Sequence, residues 1–131
     1  MKTEPSTYSF DDLIRQKTAV WDGVKNSLAL KHLREMKPGD QVLVYHTGDE
    51  KAVVGAAEVA SEAYPDPKHK DPKLAVVDLK AGERLPRTVP LAEIKKERAF
   101  ADLGLVRIGR LSVMPASAEQ FKRLLKMGGL K

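Results

Sequence analysis

Apolar residues change their spacing several times along this chain, and each change marks an element. Ser9-Phe10-Asp11-Asp12 has the form of a capping box and opens a short helix to about Gln16, anchored by Phe10, Leu13 and Ile14. Leu28, Leu30, Leu33 and Met36 make a stripe that predicts a second helix of two to three turns, with Asn26 or Ser27 as its N-cap. Lys37-Pro38-Gly39-Asp40 ends it, with Pro-Gly suited to the centre of a type II turn. The valine-rich runs 41–47 and 52–60 predict two strands around a hairpin loop at 48–51. Gly55 interrupts the second run, which predicts a bulge or a close backbone approach.

The second half is more broken. Residues 63–72 hold three prolines and predict a loop, followed by a third strand over 74–80 and a turn at Ala81-Gly82. Residues 85–90 read as extended and edge-like because of Pro86 and Pro90. A short helix over 91–97, another turn over 100–103 and a strand over 110–115 come next. Ser117 with Gln120 makes a second capping box for a final helix, with Phe121, Leu124 and Leu125 inward and Gly128 at its end. Three or four central strands with short helices around them indicate an α+β fold, in one domain spanning residues 1–131.

Trp21-Asp22-Gly23-Val24-Lys25-Asn26 interrupts this alternation and contains the sole tryptophan. No helix or strand period runs through it, so it reads as a connection. Gly23 lets the chain turn where a side chain would clash. The indole face of Trp21 and the amide of Asn26 can line one pocket for a planar polar ligand. The alternative is that Trp21 fills the core and Asn26 only caps the second helix.

Composition narrows the function classes. There are 131 residues and no cysteine, so disulfides and thiolate metal sites are excluded. No apolar run approaches the roughly 20 residues of a membrane span, and no signal-peptide pattern opens the chain. The expectation is a soluble, cytoplasmic monomer. Net charge is +5, and the excess lies in residues 92–131, with Lys122, Arg123 and Lys126 on the last helix. A one-ended basic surface favours a polyanionic partner such as nucleic acid, which these three residues would hold by its phosphates; the bland reading is a solvated helix face.

Catalytic chemistry is sparse. His32, His46 and His69 are scattered, and neither a glycine-rich phosphate loop nor a G-x-S-x-G motif is present. No catalytic set, cofactor motif or metal-ligand spacing assembles. The enzyme alternative is a small hydrolase using Glu4, Asp22 or His46 as acid and base, which requires a buried carboxylate beside His46.

Six segments in register resemble EVE domains. Lys2-Thr3-Glu4-Pro5 with Tyr8-Ser9-Phe10-Asp11-Asp12-Leu13 resembles their K-S-E-P…Y-S-f-d-D-L opening, and Trp21–Asn26 resembles W-d-G-V-R-N. Gly39-Asp40 through Tyr45-His46-Thr47, Val54-Gly55 with Glu62–Pro67, Arg110–Pro115 and Met127-Gly128-Gly129 resemble G-D…F-Y-H-S, v-G…E-a-Y-P-D-p, R-L-S-V-q-P and M-G-G. The resemblance implies a PUA-like fold, a mixed β-barrel of about five to six strands with short flanking helices. It implies binding of nucleic acid carrying a modified base, with modified cytosine in DNA favoured and RNA the runner-up. The base would enter a pocket near Trp21, Val24, Lys25 and Asn26, framed by Thr3, Glu4 and Pro5, by Tyr45 and His46, and by Arg110, Leu111 and Ser112. Thr3 and Lys25 replace the family's usual serine and arginine. Family members also carry an apolar strand before the lysine, so the resemblance implies that either the start of this chain is misassigned or truncated, or the barrel closes with one strand fewer and leaves an open sheet edge.

Overall fold

The computed structural model describes residues 1–68, 73–107 and 111–130. The capping boxes read from the sequence are both present. Helix α1 (Phe10–Gln16) starts with the Ser9 hydroxyl accepting from Asp12 N–H while the Asp12 carboxylate accepts from Ser9 N–H. Ser117 and Gln120 do the same for α5 (Ala118–Met127), which ends at Gly128. Helix α2 (Ser27–Arg34) is capped by Asn26, and Asp40 N–H closes the following turn on the Lys37 carbonyl at 3.0 Å. Between β6 and α5 lie α3 (Leu91–Lys95), a 3-10 turn over Arg98–Phe100 and α4 (Gly104–Arg107). Among the described residues no helix is long and apolar enough to cross a membrane.

The strands are β1 (Lys2–Thr3), β2 (Thr18–Trp21), β3 (Gln41–His46), β4 (Ala52–Val59), β5 (Tyr64–Pro65) and β6 (Ala75–Pro90). They form one mixed sheet of order β1-β3-β4-β6-β2, with β5 paired to the start of β6, and the sheet curls into a half-barrel of the kind that PUA-like domains share. Only β1 and β3 run parallel; the other pairs are antiparallel.

Four sequence expectations need correction. Trp21 is the last residue of β2, not part of a connection. The loop over 63–72 contains β5. Ala81-Gly82 is no turn, because β6 runs through it for 16 residues, taking in the separate segments expected at 74–80 and 85–90. Residues 111–115 form no strand; Leu111 and Val113 are buried with Ser112 between them, yet among the described residues their one ladder-like bond is Lys2 N–H to the Ser112 carbonyl at 2.8 Å. Arg110 lies outside the described residues.

Alternate residues of β3 serve two apolar clusters. Val42 and Val44 join Phe10, Leu13, Leu33 and Val77 in the first, which also takes in Leu111 and Val113. Tyr45 joins Val53, Val89, Ile94, Phe100 and Leu124 in the second, under α3 and α5. Of the final helix's three inward residues, Leu124 is buried and Phe121 and Leu125 are partly so.

Gly55 has the close approach its position announced. The pairing register shifts on both sides of it, and a Cβ there would lie 2.3 Å from Cζ of Phe10, a fully buried ring. Gly55→Ala must push that ring out of its rotamer well or bend β4. It should destabilise the fold by about 1–3 kcal/mol in urea unfolding.

Candidate functional site

Strands β1 and β2 stand at the two ends of the sheet order among the described residues, and the curl brings both to the rim of one cavity. Its volume is about 920 Å³, near the upper end of the usual range for small-ligand sites. Lys2 and Thr3 form one wall with Ser112; Thr18 to Val24 form the other, and Tyr8 and the segment Asp66–Lys68 complete it.

Trp21 belongs both to the core and to this cavity. It is 8% exposed, packs in the first apolar cluster, and meets the Tyr8 ring edge-on with centroids 6.0 Å apart. The register places Ala19 opposite Leu79 and Trp21 opposite Val77, while Ala81 N–H donates to the Lys17 carbonyl. Asp78, opposite Val20, turns its carbonyl to Ala60 N–H and its own N–H to the Ser61 hydroxyl, away from β2. By the alternation of an antiparallel ladder, the N–H and C=O of Val20 therefore face away from β6, toward the seam. Among the described residues neither group has a strand partner, and a donor and an acceptor side by side can meet the polar edge of a planar base.

After Trp21 the chain turns at Gly23, whose φ is +80°. Space around its Cα is open, so the requirement is the left-handed backbone and not the avoidance of a clash.

Of the residues expected at the pocket, Thr3, Trp21, Val24 and Ser112 line this cavity. Thr3 is held by its hydroxyl, which donates to the Tyr8 carbonyl at 2.7 Å. The other described ones are elsewhere. The Asn26 side-chain oxygen accepts from Leu28 and Ala29 N–H at 2.9 and 3.0 Å, so its acceptor is spent on α2. Lys25 is exposed and outside the lining, as is half-buried Pro5. Glu4 folds back on Ser6 N–H and hydroxyl, and those bonds hold its carboxyl below the usual range. Leu111 is buried in the core. Tyr45 is 6% exposed in the second cluster, with Lys2 Nζ 5.8 Å above its ring.

His46 serves the scaffold. Its Nε2 accepts from Phe10 N–H at 3.0 Å and its Nδ1 faces Glu50 Oε1 at 2.6 Å, a pairing that fixes Nδ1 as the protonated nitrogen. The Glu50 side chain is 41% exposed, so the carboxylate paired with His46 among the described residues is not the buried one that the hydrolase alternative requires.

Sequence reasoning missed Lys2, Tyr8, Val20, Asp66 and Lys68 as lining residues. Asp66 and Lys68 belong to the Y-P-D-P-K run read as a loop. Asp66 is 5% exposed and accepts from Lys68 N–H at 2.9 Å, and Lys68 Nζ reaches Asp22 at 3.7 Å across the cavity mouth. Lys122, Arg123 and Lys126 do not line this cavity. Lys122 lines a second cleft of about 830 Å³ between β3 and α5, which shares Lys2 with the first, and Arg123 pairs with Glu97 at 2.8 Å.

Comparison with known proteins places this geometry among similar chains. The model of a family described as EVE domain matches residues 1–127. Thymocyte nuclear protein 1 from Danio rerio is 31% identical, with 97% of this chain and 70% of that protein covered. Among solved structures, Rpa0253 from Rhodopseudomonas palustris superposes with a TM-score of 0.92 at 41% identity, covering 98% of this chain and 90% of that one. Human THYN1 protein, solved in complex with DNA containing 5-methylcytosine, has a TM-score of 0.90 at 30% identity, covering 100% of this chain and 96% of that one.

Beside the cavity, the Tyr64 hydroxyl donates to Asp78 Oδ1 at 2.7 Å. That bond, then burial and the charges of Asp78 and Asp66, push the phenol up to about 12. An unfolded tyrosine ionises near pH 10, so the contribution is fully present below that pH and is lost between about 10 and 12. In a spectrophotometric titration Tyr64 should ionise near pH 12, and Tyr64→Phe should remove that step. Stability measured by denaturant should fall over the same interval.

Proposed function

Because this chain belongs to the EVE domain family, we propose that it is a non-enzymatic nucleic-acid-binding module holding one modified base, with 5-methylcytosine in DNA favoured, in the cavity walled by Trp21. The observation that carries this reading is the cavity itself: it opens at the sheet's seam and is bounded by an aromatic ring and a strand edge that is unpaired among the described residues. The human relative solved with methylated DNA supports the choice of ligand.

The energetics are adequate for an extrahelical or single-stranded base. Stacking on an aromatic side chain contributes about 1–3 kcal/mol per base. One buried methyl adds roughly 0.8 kcal/mol. Extracting a base from a duplex costs a few kcal/mol, so mismatched or single-stranded sites bind better. The polar edge of the base meets the Val20 N–H and C=O in place of the committed Asn26 amide. Thr3 and Ser112 close the opposite wall. Lys2, which borders both cavities, leads the strand toward Lys122, and the α5 cations Lys122, Arg123 and Lys126 attract its phosphates.

The sole tryptophan makes this testable without a label. Titration with a short oligonucleotide containing 5-methylcytosine should quench or shift Trp21 emission saturably, and the unmethylated oligonucleotide should do so more weakly. Trp21→Phe should keep part of the affinity, whereas Trp21→Ala should cost about 3–5 kcal/mol of stability because the ring is also core. Emission that ignores every oligonucleotide, with the fold intact, would sink the reading.

Salt dependence provides a separate check on the phosphate contacts. Affinity should fall with a log–log slope of about −0.9 per contact on duplex, or about −0.7 on single strands. Replacing Lys122, Arg123 and Lys126 with alanine should weaken binding evenly across sequences and flatten that slope. An unchanged slope removes α5 from the interface.

A further inference from the structure

One ion pair spans the mouth of the cavity. Lys68 and Asp22 both line it and come from different elements: Lys68 follows β5, and Asp22 stands between the end of β2 and the turn at Gly23. Lys68 Nζ lies 3.7 Å from the Asp22 carboxylate. A ligand that enters between the two must pass this pair or open it.

The lysine is fixed at its root and loose at its tip. Its N–H donates to Oδ1 of Asp66 at 2.9 Å, and Asp66 is itself buried, with its own N–H bonded to the Leu74 carbonyl. The Lys68 side chain is 78% exposed and that of Asp22 42% exposed. A pair this open to water adds little to stability, so one anion can replace the other at small cost. The ammonium is a compact charge with three donors on a flexible stem, and it takes phosphate oxygens as readily as carboxylate oxygens. A neutral nucleoside brings nothing to exchange. A nucleotide brings a phosphate on the same sugar as its base.

Resting on the base-binding reading above, we infer that Lys68 and Asp22 form an exchangeable latch that selects a base carrying its own phosphate: the phosphate of the bound nucleotide takes Lys68 from Asp22. Asp22 is the internal competitor, because it holds the cation until a phosphate arrives and repels any phosphate that fails to reach it. The α5 cations act on the strand at a distance, whereas Lys68 acts in contact, beside the base.

The test follows Trp21 emission with three ligands: 5-methyl-2′-deoxycytidine, its 3′,5′-bisphosphate, and a short single-stranded oligonucleotide containing 5-methylcytosine. Wild-type protein should bind the bisphosphate at least about fivefold more tightly than the nucleoside. Lys68→Gln should bring that ratio to within about twofold, and Lys68→Arg should keep most of it, since the charge remains. On the oligonucleotide, Lys68→Gln should flatten the log–log salt dependence by about 0.7, the value of one phosphate contact on a single strand. Asp22→Asn should tighten the bisphosphate by about threefold, because the competing charge is gone. Both side chains are exposed, so these variants should melt with wild-type protein.

A wild-type ratio near one would overturn the latch. So would a ratio that Lys68→Gln leaves intact, or an Asp22→Asn protein that binds the bisphosphate more weakly; in each case the base-binding reading survives. Should the nucleoside and its bisphosphate both bind too weakly to follow, the salt slope of Lys68→Gln on the oligonucleotide decides alone, and an unchanged slope ends the proposal. If wild-type emission ignores all three ligands, the base-binding reading falls and this inference with it.

Discussion

One strand holds the sheet together. β6 pairs with β4 along one edge and with β2 along the other, and its start also holds β5. Backbone groups buried in a sheet must be paired, and 16 consecutive residues are enough to satisfy three partners at once. The cost is irregularity: its register against β4 shifts on either side of Gly55, where the Phe10 ring takes the space of a Cβ. That local twist is one source of the curl that brings β1 and β2 to a common rim. The cavity is thus a product of incomplete closure, lying where the sheet runs out of strands.

Its walls are built from residues with structural duties. Trp21 supplies a cavity surface and is packed into the first cluster, and Thr3 lines the cavity while its hydroxyl ties β1 to the Tyr8 carbonyl. Opposite charges alternate around the opening, with Lys2 and Lys68 set against Asp22 and Asp66. Such a mouth has no strong net field of its own, so attraction of a polyanion would fall to cations farther out.

Local chemistry was the legible part of the chain. Capping boxes at Ser9 and Ser117, the turn at Pro38-Gly39 and the break at Gly55 each rest on a few adjacent residues, and each is where its signal pointed. Long-range pairing was hidden. Thr18–Trp21 is too short for a period of two to stand out, and its partner strand lies more than fifty residues on. Ala81-Gly82, Pro86 and Pro90 look like punctuation, yet β6 passes through them. Residues 111–115 mislead in the opposite sense, since Leu111 and Val113 alternate as a strand would while Ser112 offers one carbonyl to Lys2. Of the residues that the family resemblance singled out, Trp21, Val24, Thr3 and Ser112 line the cavity. The Asn26 oxygen caps α2 instead, and an amide that caps a helix looks in sequence like one that meets a ligand. Val20 carried no sequence signal, because what it turns toward the cavity is backbone.

The two walls of the cavity differ in stiffness. On one side β2 is bonded along its whole length to β6, so displacing it means disturbing the centre of the sheet. On the other, β1 is two residues long and is fastened by a handful of backbone bonds: Met1 to Leu43, Tyr45 to Met1, Thr47 to Thr3 and Lys2 to Ser112. For an occupant of the cavity, the Lys2–Thr3 side would be the spring and the Trp21 side the anvil. Variation in ligand size would be absorbed by the compliant wall, and orientation would be set by the rigid one.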